Sequence, residues 1–347
     1  MTRLLDLPPY SNRNESLFLK EMNELVSHHR TGCDEYRLLT NSQSASDISE
    51  IPFLHVGLFK SLTLRTESEN IIHQRDLLSS ATTSGVSSVI PLDSRSSGMQ
   101  ARSVAAILAD YIGNKKRPLI ILDSPKSLRS RGKVSARIAA AMSLQHFAET
   151  TSLVIPDMSD VTTIDLDRIS SVLNENDDLI IYGFTWILWK SWAENPALDS
   201  IKESLVGKTI SFVHSGGWKR LEGEAIERRQ FEYALLEGLH QDSKVIDYYG
   251  LVEQVGIIYP LCESGFRHVP IWADIIIRDP WTSQSITDEV GQIQLLNLLA
   301  LGAPYHSVLT EDLGEIISGE CACGRSGKRY NLIGRIPKAE IRGCANV

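Results

Sequence analysis

Four short, almost wholly apolar runs recur through the middle of this chain: RPLIILD (117–123), DDLIIYGF (177–184), KTISFVHS (208–215) and KVIDYYG (244–250). Each has the length of a strand, and none shows the apolar–polar alternation of a strand with one wet face. Such strands belong to a parallel sheet covered on both faces, because only there are both sides hidden from water. Stretches of helical spacing lie between them. From Arg95 to Ile112 the apolar residues Val104, Ile107, Leu108 and Tyr111 fall on one face, and Val134 to Phe147 reads as a second helix. The fold class expected is α/β.

The ends of the chain read differently. Residues 1–50 form an N-terminal helical segment, with an amphipathic stretch from Glu15 to Arg30 and a Ser/Asn-rich loop from Thr40 to Glu50. An α/β body is expected over 51–347, with no Pro/Gly/Ser linker to divide it. Within it, WADIIIRDP and EVGQIQLLNLL read as paired strands, which predicts a β-rich subregion over 272–330. A tail of four residues, 344–347, follows Gly343.

Composition excludes some functions. The formal charge of −8 and the short basic runs give no footprint for a nucleic-acid backbone. No apolar run has the length of a membrane-spanning helix, and the N-terminus lacks an apolar signal core, so the expectation is a cytoplasmic enzyme without a membrane span. Five cysteines, an odd number, suit a reducing compartment better than a disulfide framework.

Several segments have the composition of a site. LLSSATTSGVSSVIPLD (77–93) gathers Ser80, Thr82, Thr83 and Ser84 around Gly85 before an apolar run. Hydroxyls and free backbone N–H groups in a tight loop suit a polyphosphate, although such clusters are commonly plain loops and Gly-Lys-Ser/Thr is missing. HSGGWKR (214–220) follows a strand: Ser215, Gly216 and Gly217 allow a flat ligand close to the backbone, and Trp218 would wall it, or the segment is a tight turn with a core tryptophan. In YYGLVEQ (248–254), Glu253 follows Tyr249 and Gly250 and is a candidate magnesium ligand. Asp312 of LTEDLG is placed to accept both hydroxyls of a ribose, with Arg335 as a cationic contact after Gly334. Each of these residues alone reads as a surface charge; their order is what joins them.

Cys262, His268, Cys321 and Cys323 supply three thiolates and one imidazole, a closed tetrahedral set for a structural zinc ion, or else four unrelated residues. Trp186, Trp189 and Trp192 recur at helical spacing, either as core or as the wall of an acyl channel.

YYGLVEQVGIIYPLCE, HVPIWADIIIRDP, LTEDLG and IGRIPKAEIRGC, in that order, resemble the acyl-protein synthetases of the bacterial luciferase operon, the LuxE type. That family is a branch of the adenylate-forming superfamily near the phenylacetate–CoA ligases, and the resemblance runs from about Ile51 to Cys344. It implies the large N-terminal body of the adenylate-forming fold and ATP-dependent activation of a carboxylic acid, of the fatty acid class, as an acyl-adenylate. The acyl group would then pass to a cysteine of the enzyme for a partner protein of the acyl-CoA-reductase type. Cys344 is the expected acceptor, since a cysteine on a short tail makes the attack intramolecular.

The same resemblance assigns residues 79–88 to the phosphate loop, 215–218 to the adenine side, Tyr249, Gly250 and Glu253 to nucleotide and magnesium, Asp312 and Arg335 to the ribose, and the Cys/His set to zinc. Two departures stand out. Ala81 and Ser84 occupy loop positions where glycine is usual in the family. In the CoA ligases the chain continues past Arg-Gly into a mobile lobe with a catalytic lysine; here Arg342-Gly343 is followed by Cys344-Ala-Asn-Val, leaving Lys338 and Lys219 as candidate lysines and a body without that lobe as the expectation. The alternatives are an acid–CoA ligase and a non-catalytic scaffold for an acyl reductase.

Overall fold

A computed structural model describes residues 2–79, 87–129, 133–218 and 226–336. The four apolar runs form adjacent parallel strands, Arg117–Ile121, Asp178–Phe184, Thr209–Ser215 and Lys244–Tyr249. Ala148–Leu153 extends the sheet in parallel beyond the first of them, and Tyr259–Pro260 closes the other edge antiparallel. Leu179 to Phe184 and Ile210 to Ser215 are buried at every position, as strands covered on both faces require. The register aligns Phe184 with Ser215 and Ser215 with Tyr248, so three strands end at one carboxyl edge. Open α/β sheets bind ligands at that edge.

Helix Ser94–Ile112 packs on this sheet through Val104, Ile107, Leu108 and Tyr111, and Asp93 caps it by accepting from the N–H groups of Arg95 and Ser96. The second helix is shorter than its pattern predicts. Lys133–Ser135 is drawn into a parallel strand beside Asp76–Leu78, the helix runs only from Ala136 to Ser143, and a 3₁₀ turn completes the segment to Phe147. The tryptophan segment departs from regular α-helix too: after the turn Thr185–Leu188 the chain widens into a π-helical turn, Trp189–Ala193, with Glu194 N–H on the Trp189 carbonyl at 2.9 Å. Trp192 is buried against Phe212, whereas Trp186 and Trp189 are only partly covered.

The β-rich region is a seven-stranded sheet wider than 272–330. Its antiparallel order is Arg267–His268, Arg329–Arg335, Ser307–Ile317, Gly291–Asn297, Ala273–Arg278 and Ser285–Ile286, and Leu54–His55 adds in parallel against Val308 and Leu309. Val89–Asp93, His73–Leu78 and Lys133–Ser135 form a third sheet, which sequence patterning did not resolve. Helix Glu15–Gly32 buries Phe18, Met22, Leu25, Val26 and His29, the spacing of one helical face. The segment before it is tied to the β-rich sheet by Arg13, which pairs with the fully buried Asp274 at 2.6 Å and donates to the Ala273 carbonyl at 2.7 Å. Among the described residues no helix is long and apolar enough to cross a membrane.

Candidate active site

Tyr249 ends a central strand, and Gly250 leads the chain into the 3₁₀ turn Val252–Gln254. Gln254, fully buried, clamps that turn to the β-rich sheet: its amide donates to the Tyr305 carbonyl at 2.8 Å, and its oxygen accepts from Asn297 at 2.9 Å. Gly256 closes the turn at φ +87°, where an added Cβ would lie 2.6 Å from the Cα of Gln100. Glu253 is thereby held almost wholly out of water, 6% exposed. Burial pushes its carboxyl above the usual range, with the Ser88 hydroxyl and the positive charge of Lys60 pulling the other way. A desolvated carboxylate of this kind is a fitting oxygen ligand for a divalent cation.

Asp312 lies on the Ser307–Ile317 strand directly opposite Arg335. Tyr249 donates its phenol to Asp312 Oδ2 at 2.6 Å, and Arg335 Nε donates to Asp312 Oδ1 at 3.2 Å. Asp312 N–H donates in turn to Thr310 Oγ1 at 3.1 Å, which fixes the start of this turn of strand. Three residues assigned to the nucleotide from their order in sequence thus meet at one carboxylate.

On the neighbouring strand, Ser215-Gly216-Gly217-Trp218 leaves the carboxyl edge with Gly216 at φ +75°, a conformation that favours glycine. Thr185 holds this loop: its hydroxyl contacts the Gly216 carbonyl, reaches the Ser215 carbonyl at 3.2 Å and lies 2.9 Å from His214 Nδ1. A hydroxyl has one proton, so with the carbonyls as acceptors the histidine nitrogen is the donor to Thr185. Burial pushes the His214 imidazole below its ordinary pKa, in keeping with a neutral ring. Trp189, Trp218 and Phe231 meet with ring centres 6.0 to 6.1 Å apart, and Phe231 also packs on His214 at 5.0 Å, so an aromatic wall stands beside the two glycines. Thr185 and His214 were absent from the sequence-derived set; their position at strand ends next to Gly-Gly was the available signal.

Cys262, His268, Cys321 and Cys323 come together with all their ligand atoms within 4.8 Å of one another. Cys262 Sγ is 3.8 Å from Cys321 Sγ, and Cys323 Sγ is 3.2 Å from His268 Nε2. Tetrahedral zinc with Zn–S bonds of about 2.3 Å places two sulfurs about 3.8 Å apart, so the donor set fits the ion. The turns opened by Cys262 and Cys321 are closed by Gly265 N–H at 2.8 Å and Gly324 N–H at 3.0 Å. Burial raises the Cys262 thiol to about 11; the Cys321 thiol, against its own burial, is drawn down to about 5 by the Cys323 N–H and thiol, Arg329 and His268. Tyr10 packs its ring edge on His268 at 5.8 Å, tying the N-terminal segment to this cluster. Ser80, Thr82, Thr83, Ser84 and Gly85 of the phosphate loop, Lys219, Lys338 and Cys344 lie outside the described residues.

The parallel sheet with its C-terminal β-rich sheet is the body of the adenylate-forming ligases. 2-Hydroxyisobutyryl-CoA ligase, solved in an open conformation with 2-HIB-AMP and CoA, is similar over 95% of this chain and 76% of its own, with a TM-score of 0.67 at 14% identity. Its postadenylation state with 2-HIB-AMP gives a TM-score of 0.65 at 14% identity, over 93% of this chain and 68% of its own. A family model described as "Acyl-protein synthetase, LuxE" matches residues 5–347, and the chain belongs to that family. As a member of the acyl-protein synthetase family it is a ligase. Two curated relatives carry the name long-chain-fatty-acid–luciferin-component ligase: one from Aliivibrio fischeri, 23% identical over 94% of this chain and 86% of its own, and one from Vibrio harveyi, 22% identical over 94% and 88%.

Proposed function

We propose that this protein joins a long-chain fatty acid to ATP as an acyl-adenylate, takes the acyl group onto its own Cys344 as a thioester, and presents it to an acyl-reductase partner. The observation that carries the reading is the convergence of Tyr249 and Arg335 on Asp312, beside the buried Glu253. Tyr249 and Arg335 orient the carboxylate and leave its remaining lone pairs for the two ribose hydroxyls. Gly216 and Gly217 let the adenine lie against backbone with Trp218 as its wall, and the half-buried Trp186 and Trp189 offer apolar surface to the acid.

The fatty carboxylate attacks the α-phosphorus; an O–P bond forms, the bond to the β-phosphate breaks, and its electron pair leaves with pyrophosphate. The Cys344 thiol then loses its proton and attacks the acyl carbonyl, and AMP departs. Glu253 would hold magnesium, which supplies charge neutralisation on the phosphates. Lys338 and Lys219 remain the candidate lysines for adenylation. The Cys/His set would hold a structural zinc ion, leaving no open position for a substrate.

The test is incubation of the protein with ATP, magnesium and radiolabelled fatty acid, with and without CoA. Expected are acid-dependent pyrophosphate exchange in both wild type and Cys344→Ser, and a protein thioester in wild type alone. Label retained on Cys344→Ser would remove the acceptor assignment, acyl-CoA as the sole product would make the protein an acid–CoA ligase, and no exchange would leave the scaffold reading.

A further inference from the structure

We propose that Thr185 is a positioning residue for the adenine of the nucleotide, its hydroxyl locking the peptide between Gly216 and Gly217 in the orientation that receives the base. The inference rests on the assignment of residues 215–218 to adenine made above, and adds to it a residue from the neighbouring strand. Phe184 and Ser215 are paired in register at the last position of their two parallel strands, so Thr185 and Gly216 leave the carboxyl edge side by side. Thr185 is 8% exposed, whereas both glycines are open to solvent. The hydroxyl is covered, and the backbone it holds is free to meet a ligand.

Two adjacent glycines let a flat base approach the chain, but they also leave that chain free to turn. No Cβ restricts φ at either residue, so the peptide between them can rotate as a unit and present either its carbonyl or its N–H. A planar trans peptide points these two groups in opposite directions. With the Gly216 carbonyl bound to the Thr185 hydroxyl, it is the Gly217 N–H that faces away from Thr185. The Ser215 carbonyl lies 3.2 Å from the same hydroxyl, so two successive carbonyls turn to one side chain. Packing does not fix this peptide: among the described residues, a Cβ built on Gly217 has no neighbour within 4 Å. The hydrogen bond is what fixes it.

His214 sets the direction of that bond. Its Nδ1–H donates to Thr185 Oγ1 at 2.9 Å and leaves the threonine proton for the carbonyl. The branched Cβ of threonine restricts χ1, which holds the oxygen in place. Trp189, four residues further on in the π-helical turn, meets Trp218 edge-on with ring centres 6.1 Å apart. The segment that begins at Thr185 thus supports the loop at both ends. Ordering the loop before the nucleotide arrives removes an entropic cost from binding.

The experiment compares Thr185→Val and Thr185→Ser with wild type in acid-dependent ATP–pyrophosphate exchange and in calorimetric binding of AMP. Valine removes the hydrogen bond and keeps the branched shape, so the KM for ATP and the Kd for AMP should both rise about threefold to tenfold. The KM for pyrophosphate and the rate at saturation should stay at their wild-type values, and Thr185→Ser should recover most of the loss. His214→Phe keeps a ring against Phe231 but has no proton to donate, and should shift ATP and AMP in the same direction by less. A purely structural part for Thr185 would lower the amount of active enzyme, and with it the rate at saturation, at unchanged KM and Kd. That result, an equal rise in the KM for pyrophosphate, or no recovery in Thr185→Ser would each overturn the assignment. Should Thr185→Val fail to fold, wild-type constants for ATP and AMP in His214→Phe would overturn it. A wild type that binds neither ATP nor AMP would instead overturn the nucleotide site itself, and this inference with it.

Discussion

The phenol of Tyr249 and the carboxylate of Asp312 lie 2.6 Å apart, although one ends a strand of the parallel sheet and the other lies inside the antiparallel one. The bond therefore joins the two sheets at the groove between them. Burial, reinforced by the Asp312 charge, keeps the phenol protonated far above its ordinary pKa, so it remains a donor at every working pH. Tyr249→Phe should weaken nucleotide binding by about tenfold to a hundredfold, the worth of one hydrogen bond to a charged group, with no change in the pH profile. Asp312→Asn should cost more, because Arg335 loses its ion-pair partner and the ribose loses an anionic acceptor. Titration calorimetry with AMP checks both.

Zinc content is a separate prediction. Protein purified without chelator should carry one zinc per chain on Cys262, His268, Cys321 and Cys323. Cys323→Ser should lower both metal content and melting temperature, because an ion that binds only the native fold contributes its binding energy to folding. Elemental analysis well below one zinc per chain would leave the four residues as unmetallated core.

His29 and His306 stack 4.7 Å apart in a buried site near the N-terminal helix. His29 bonds to Thr66 at 2.7 Å and to the Ala300 carbonyl at 3.0 Å, His306 to Tyr36 at 3.2 Å, and His28 lies beside them. Burial lowers both pKa values, that of His306 to about 3. The unfolded chain therefore takes up protons below about pH 6.5 that the native protein refuses, so stability is complete above that pH and falls below it. Each ring should contribute a slope of up to about 1.4 kcal/mol per pH unit. Urea midpoints at pH 7.5 and 5.0 measure the fall, and His306→Gln should make it shallower.

Gly256→Ala should be strongly destabilising. The new Cβ would approach the Gln100 side chain to 2.5 Å and its Cα to 2.6 Å, from a backbone at φ +87° that disfavours a side chain. A loss of about 2 kcal/mol or more is expected, together with weaker magnesium-dependent nucleotide binding because Glu253 sits three residues earlier. Denaturation and calorimetry report the two effects separately.

The parallel sheet was legible because Leu179–Phe184 and Ile210–Ser215 are buried on both faces, and full burial leaves an unbroken apolar run in the sequence. Tyr249, Asp312 and Arg335 were legible through their order, and the Cys/His set through the restricted chemistry of its donors. The strand Lys133–Ser135 was not: it has only three residues, and what makes it a strand is its parallel partner Asp76–Leu78, far away in sequence. The π-helical turn at Trp189–Ala193 escaped for a related reason, since an i-to-i−5 bond leaves a tryptophan spacing that reads as ordinary helix.

The parallel pairing of Leu54–His55 with Val308 and Leu309 joins positions roughly 250 residues apart. The same distant seam includes Thr66 N–H on the Gly302 carbonyl at 2.8 Å and His29 on Ala300. During synthesis at about 5–20 residues per second, the apolar face of the N-terminal helix waits on the order of tens of seconds for its cover to emerge from the ribosome. The seam is thus an appointment kept late in the life of the nascent chain, and the interval before it is when this protein is most open to chaperones and to aggregation.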